Sequence, residues 1–426
     1  MVSSIAMTAT RIHQQVEAVW RIEAARLIAG LARMVRDVGL AEEFAQDALV
    51  SALEHWPREG VPDNPGAWLM STGKNRALDH LRRQRMLHSK HEVLGQELEA
   101  LQAAGPEAEV DEIGDDLLRL IFVACHPVLS TEARSALTLR LLGGLTTTEI
   151  ARAYLTTESA IAQRIVRAKR ALTEAQVPFE IPRRQELPER LSSVLEVIYL
   201  IFNEGYAATT GAEWMRPALC EEALRIGRIL AELTPGEAEV HGLVALMEIQ
   251  ASRTRARTGA NGEPVLLLEQ DRALWDRLLI SRGLAALERG EALGGPPGPY
   301  LLQASIAAVH ARAVTATDTD WVGIAQRYEE LAQAAGSPVV ELNRAVAVGM
   351  AYGAAAGLAI ADELHTSGAL KGYHLLPSVR ADLLAKLGRH AEAGAEFERA
   401  AGLTDNARER ALLNARALAC LAHLTH

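Results

Sequence analysis

Apolar residues recur at intervals of three and four through most of this chain. No stretch sustains the two-residue alternation of a half-buried strand, so the pattern predicts helices nearly throughout. The sharpest pair lies between Leu145 and Leu172. Ile150, Ala151 and Tyr154 form a short stripe, and Thr146 with Glu149 makes a capping-box pattern that predicts a helix start. A break at Leu155–Thr157 follows. Ile161, Ile165, Ala168 and Leu172 then fall at steps of four, three and four, which predicts a second helix with one buried edge. Its opposite side carries Ser159, Gln163, Arg167 and Arg170, with Arg164 and Lys169 flanking.

Thr157–Leu172 holds four basic residues (Arg164, Arg167, Lys169, Arg170) against one acid, Glu158. A positive face bearing amide and guanidinium groups suits base edges and phosphates, as in a DNA-reading helix-turn-helix. A solvated basic face on an ordinary helical hairpin fits the same pattern. Leu155 stands where the turn usually has glycine.

Upstream, Val16–Val38 reads as a helix ended by Gly39. Leu40–Trp56 is a second, with Phe44, Leu49 and Leu53 inward and Glu42, Glu43, Gln46, Asp47 and Glu54 outward. Such an acidic face is either solvated or a docking surface for a basic partner. After a Pro/Gly/Asn loop over Pro57–Pro65, Trp68–Arg85 is a third helix. It has five basic residues from Lys74 onward against Asp79, and Asn75, Asp79 and Arg83 share one face. Trp68 is expected in the interior rather than as a stacking platform. Residues 93–115 are acidic and read as a linker with partial helix. Leu117–Val123 is a helix stopped by His126–Pro127, and Thr131–Leu142 leads into the helix pair.

The chain's 426 residues exceed one core, so several domains are expected. Aromatics are 4 %, which leaves the helix formers Ala, Leu, Arg and Glu dominant. The formal net charge of -10 excludes a protein coated in nucleic acid, and leaves local basic patches to carry any DNA contact. Cys125, Cys220 and Cys420 are far apart and form no zinc signature, which suits a reducing cytoplasm. Cys125–His126 alone is a poor metal site, and a buried structural role is expected. The first residues lack a secretory-signal pattern, and no run is apolar enough to span a membrane.

Pro178–Pro188 is a proline-punctuated junction. Beyond it, helices are predicted over Leu191–Asn203, Pro217–Leu233, Gly236–Arg253 and Asp271–Arg289, with loops at Thr258–Pro264 and Gly294–Pro299. Ala381, Leu384, Gly388, Ala393, Phe397, Ala400 and Leu403 sit at the spacing of a tetratricopeptide-like (TPR-like) helix pair, and Val339–Leu364 is a degenerate second candidate. Asp271, Arg272, Trp275, Asp276, Asp320 and Trp321 gather near helix starts, where capping and packing are expected rather than a ligand pocket.

Residues 7–85 and 116–172 resemble the two conserved regions of group 4 (extracytoplasmic-function) sigma factors of bacterial RNA polymerase. DVGLAEEFAQDALVSALEHW resembles the region 2 helix that docks on the β′ clamp coiled coil. NPGAWLMSTGKNRALDHLRRQR resembles the segment that melts and reads the −10 element, and LRLLGGLTTTEIARAYLTTESAIAQRIVRAKRAL resembles region 4, which reads the −35 element. LLLEQDRALWDR, GPYLLQASIAAVHA and SPVVELNRAVAV extend the likeness to the subgroup with a C-terminal TPR-like helical extension.

The resemblance implies an all-α chain: sigma region 2 over 1–92, an acidic linker over 93–115, region 4 over 116–178 and a regulatory helical extension over 179–426. It implies that Glu43, Gln46 and Asp47 face the β′ coiled coil, with the β flap as a further contact. Asn64, Asn75, Asp79 and Arg83 would lie near the −10 strand. Gln163 and Arg167 would reach −35 base edges, Arg164, Lys169 and Arg170 would hold phosphates, and Ser159 would belong to the same −35-binding face. Core RNA polymerase and promoter DNA are the implied partners, with a protein or small-molecule regulator of the extension, and with no cofactor, catalytic residue or metal. Two other classes stay open on the residues alone. One is a regulator that binds operators without polymerase. The other is an all-helical enzyme, for which the chain shows no Gly-rich phosphate loop, HExxH or nucleophile elbow.

Overall fold

The computed structural model describes residues 2–87, 110–154, 156–208, 214–259 and 262–422. Among them the fold is all-α, with no strand and one isolated bridge, Thr258 to Pro264. The turn residue Leu155 and the acidic stretch 93–109 lie outside the described residues. The chain divides into two compact units, Met1–Ile198 and Tyr199–His426. That division falls inside a helix rather than at the proline junction.

The first unit contains α1 (Val2–Val35), α2 (Val38–Glu59), α3 (Pro65–Leu87), α4 (Val110–Ala124), α5 (Thr131–Leu141), α6 (Thr147–Ala153), α7 (Glu158–Glu174) and the start of α8 (Leu187–Tyr206). The expected stop at Gly39 is corrected. α1 ends at Val35, Arg36 takes the left-handed turn at φ 53°, and Asp37 caps α2 by accepting from the Leu40 amide at 2.9 Å. Gly39 therefore lies in the first turn of α2.

The buried side of α2 is lined with small residues, Ala41, Ala45, Ala48 and Ala52, with Phe44 and Trp56 beside them. Leu49 and Leu53, expected inward, are half-buried. Trp68, expected in the interior, is half-buried and packs edge-on against Trp56 at 5.5 Å. α4 begins at Val110, so the described end of the acidic stretch, read as a linker with partial helix, is helical. Cys125 is buried against the Thr138 hydroxyl at 3.4 Å, and burial pushes its thiol up to about 11. His126 falls to about 4 through burial first and Arg190 second. No cluster of three or more metal-ligating side chains occurs among the described residues.

The second unit comprises the rest of α8, α9 (Pro217–Leu233), α10 (Ala238–Ala251), α11 (Arg277–Ala292), α12 (Pro299–Arg312), α13 (Trp321–Ala335), α14 (Pro338–Tyr352), α15 (Ala354–Ser367), α16 (Leu375–Lys386), α17 (His390–Leu403) and α18 (Ala407–Ala422). From α12 onward each helix packs on the next. Leu246, Ile249, Leu287 and Leu301 build one core, and Leu384, Phe397 and Leu413 another. Asp271, Asp276 and Asp320 cap helical turns, as expected. Arg272 donates to the carbonyls of His310 (2.6 Å) and Ala313 (2.7 Å) and to the Thr319 hydroxyl (3.2 Å), tying three segments together.

α14 and α15 cross at glycines. A Cβ on Gly357 would lie 2.8 Å from the Gly349 Cα and would also strike the Ala345 carbonyl. Gly357→Ala therefore overpacks a backbone-to-backbone contact and is expected to destabilise the second unit by about 1–3 kcal/mol. Urea unfolding of the full chain followed by tryptophan fluorescence checks this, and an unshifted midpoint would contradict so close a crossing.

Candidate nucleic-acid interface

The α6–α7 pair forms as its sequence dictates. Thr146 accepts from the Glu149 amide at 3.1 Å, and Glu149 accepts from the Thr146 amide at 2.8 Å, which completes the capping box. Thr157 caps α7 by accepting from the Ala160 amide. Ile150 and Ala151 are buried under α7, whose own buried residues are Ile161, Ile165, Ala168 and Leu172. All four are the residues the periodicity selects.

Turning that edge inward leaves Ser159, Gln163, Arg167 and Arg170 exposed, with Arg164 half-buried. Arg170 is paired with Glu174 one turn on at 2.6 Å. Sequence reasoning missed Val166. It is 64 % exposed, three residues from Gln163 and next to Arg167. An aliphatic side chain among exposed polar ones on this face suits a thymine methyl. The available signal was its absence from the buried period of α7.

Lys169 departs from expectation. Its ammonium pairs with Glu42 of α2 instead of lying open for a phosphate. Glu42, read as an outward acid, is 3 % exposed and is also held by Arg140 of α5 at 2.6 Å. Gln46, expected on the docking face, is half-buried and donates to the same carboxylate at 2.6 Å. Burial raises the cost of the Glu42 charge, but Lys169 and Arg140 outweigh it and hold the carboxyl below its ordinary range.

One buried anion thus joins three elements remote in sequence. Thr173 donates to Asp37 at 3.3 Å and Arg21 pairs with Glu149 at 2.7 Å, adding further links across the same unit. Sequence reading missed Glu42 and Arg140 because their partnership is set by tertiary packing alone.

Glu43 and Asp47 remain exposed on α2, as expected, with Val50 beside them at 52 % exposure. On α3, Asn75 and Arg83 are exposed, and Asp79 is exposed but paired with Arg82 at 3.3 Å. Asn64 is exposed, and its side-chain oxygen caps α3 by accepting from the Ala67 amide at 3.0 Å. That carbonyl is committed to the helix, and the amide nitrogen is what it can offer elsewhere.

Two of these segments match known families. Residues 22–86 match sigma-70 region 2 and residues 119–172 match sigma-70 region 4, which cover α1 to α3 and α4 to α7. Region 2 followed by region 4 indicates a sigma factor of the extracytoplasmic-function type. Residues 190–291 match a family of unknown function, DUF6596. An uncharacterized protein of Rhizobium meliloti (strain 1021) is 43 % identical over 389 residues, 90 % of each chain. The chain belongs to the family of that protein. No solved structure matches it. No helix among the described residues is long and apolar enough to cross a membrane.

Proposed function

We propose that the chain binds core RNA polymerase and directs promoter-specific initiation, with its C-terminal helices modulating that activity. The observation that carries this reading is the outward face of α7, where Gln163, Val166 and Arg167 stand exposed behind a fully buried apolar edge. Amide, aliphatic and guanidinium groups on one helix face can read base edges in a major groove. In this reading α7 meets the −35 element and the exposed Asn75 and Arg83 of α3 lie along the −10 strand. Glu43 and Asp47 meet the β′ clamp coiled coil, and region 4 contacts the β flap. The chain works in the cytoplasm and performs no covalent chemistry of its own.

The Glu42 clasp sets a condition on this function. While Lys169 and Gln46 are held by Glu42, neither is available to a phosphate or to polymerase. We read the described state as closed, with polymerase binding releasing both residues. In the second unit, α16 and α17 are read as a TPR-like pair. Ala381, Leu384, Ala393, Phe397 and Ala400 are buried between paired helices, while Leu403 is exposed.

Asp47→Lys tests the docking face. Asp47 is exposed and its side chain makes no hydrogen bond or ion pair among the described residues. Reversal is expected to weaken core polymerase binding at least tenfold at low salt and less at high salt, with an unchanged unfolding curve. Unaltered affinity for core enzyme would remove this face from the interface.

A further inference from the structure

The second unit contains a half-open cavity of about 260 Å³. Its polar wall carries positive charge without a carboxylate partner. Arg257 is 7 % exposed, with its guanidinium carbon 3.4 Å from the Tyr206 ring centre and 4.3 Å from that of Trp214. It donates to the Tyr206 carbonyl and meets the Met215 sulfur at 3.4 Å. Burial lowers it to about 10, which leaves it cationic at neutral pH. Arg253 lies 5.8 Å from the Tyr206 and Trp275 ring centres. Its Nε is buried without a partner, and its guanidinium forms no ion pair among the described residues.

Gln270 adds an acceptor. It is 9 % exposed, its Nε2 donates to the Val265 carbonyl at 3.2 Å, and its Oε1 has no partner. Glu409 also lines the cavity, but that carboxylate accepts from the Thr404 hydroxyl at 2.6 Å and faces His374 Nε2 at 3.0 Å. Asn406 also lines the cavity, with its amide committed to the Ala208 carbonyl and the Arg408 and Glu409 amides, and Leu266, Leu267 and Leu412 supply apolar wall.

A buried acceptor left unpaired costs about 1–3 kcal/mol, and the half-buried Arg253 cation lines the cavity without a counter-charge. A bound molecule that supplies a donor and an anion relieves both. The volume is below the 300–1,000 Å³ or so of sites for drug-sized molecules, so it admits one ring rather than a nucleotide. We propose that this cavity binds a small single-ring organic acid. Its carboxylate would pair with Arg253, its ring would lie on the leucines, and a ring hydroxyl or amine would donate to Gln270 Oε1. Tyr206, Arg253, Arg257 and Gln270 lie within the segment that matches the family of unknown function, whereas Leu412 comes from α18.

The test is calorimetric titration of the full-length chain with salicylate, 4-hydroxybenzoate, salicylamide and inorganic phosphate. At least one hydroxybenzoate is expected to bind saturably and one to one. Salicylamide, which keeps the ring and hydroxyl but lacks the charge, is expected to bind at least tenfold more weakly. Arg253→Gln is expected to weaken the acid at least tenfold, and Gln270→Leu several-fold. Arg253 loses only its two distant ring contacts and no hydrogen bond, so its variant should unfold close to the parent midpoint, and Gln270→Leu supplies a second, independent reading. Failure of both acids to bind, binding undiminished in both variants, or phosphate binding as tightly as the acids would each overturn the proposal. The assay contains no polymerase, so its outcome is independent of the sigma-factor reading.

Discussion

Gln163→Ala and Arg167→Ala are each expected to cost about 1–3 kcal/mol in promoter discrimination, roughly a five- to hundredfold loss. Both side chains are exposed on α7, and neither bonds to another described residue. Truncation therefore leaves Ile161, Ile165, Ala168 and Leu172 in place, and the helix keeps its seat. The loss should concentrate on promoters with the preferred −35 bases and shrink on promoters altered there. Transcription from matched and altered templates reads this directly. An equal loss on every template would move the residue to the phosphate-contacting class. Arg170→Ala provides the contrast. As a phosphate contact it is expected to weaken all templates alike and to reduce the salt slope by about one.

Glu42→Gln is expected to destabilise the first unit by about 3 kcal/mol at neutral pH. Removing the buried carboxylate leaves Arg140 and Lys169 with 20 % and 23 % side-chain exposure and no anion between them, and breaking such a pair costs about 3–5 kcal/mol. Their partial exposure places the effect at the lower end. The pH dependence has a definite sign. The folded carboxyl lies below the ordinary value of 4.5, so its contribution is fully present above that pH and is lost as pH falls through the folded value. The gap between parent and variant in urea unfolding should therefore be widest near neutrality and close in acid. A gap that stays constant from neutral to acid pH would show that Glu42 acts by shape rather than by charge.

The contrast between α7 and Glu42 shows what a sequence discloses about such a chain. The four buried residues of α7 are aliphatic or small at clean helical spacing, and its caps are local, within three residues. Short-range chemistry of this kind is legible. α2 is harder because its buried side is alanine, which carries little weight in a hydrophobic pattern. Phe44 is buried as predicted, but Leu49 and Leu53 turn the predicted inward face away from the alanine side and place Glu42 outside. Its burial depends on cations from α5 and α7 that no local rule connects to it.

Gly39 misled for a related reason. Glycine commonly ends helices, but here Arg36 takes the left-handed turn and Asp37 supplies the next cap. In the second unit, Asp271, Asp276 and Asp320 were legible as caps because capping is local. Arg253, Arg257 and Gln270 were not legible as a group, since only the return of the chain between α8 and α11 assembles them.

The measurement that tests the central claim most directly is run-off transcription by core RNA polymerase with the full-length chain, on a library randomised at the −35 and −10 positions. The account expects discrete transcripts that require the chain, from templates enriched in one −35 and one −10 sequence, with the −35 preference altered by Gln163→Ala. Sequence-selective binding of the same DNA without polymerase, and no transcript from any template, would contradict it and identify an operator-binding regulator instead.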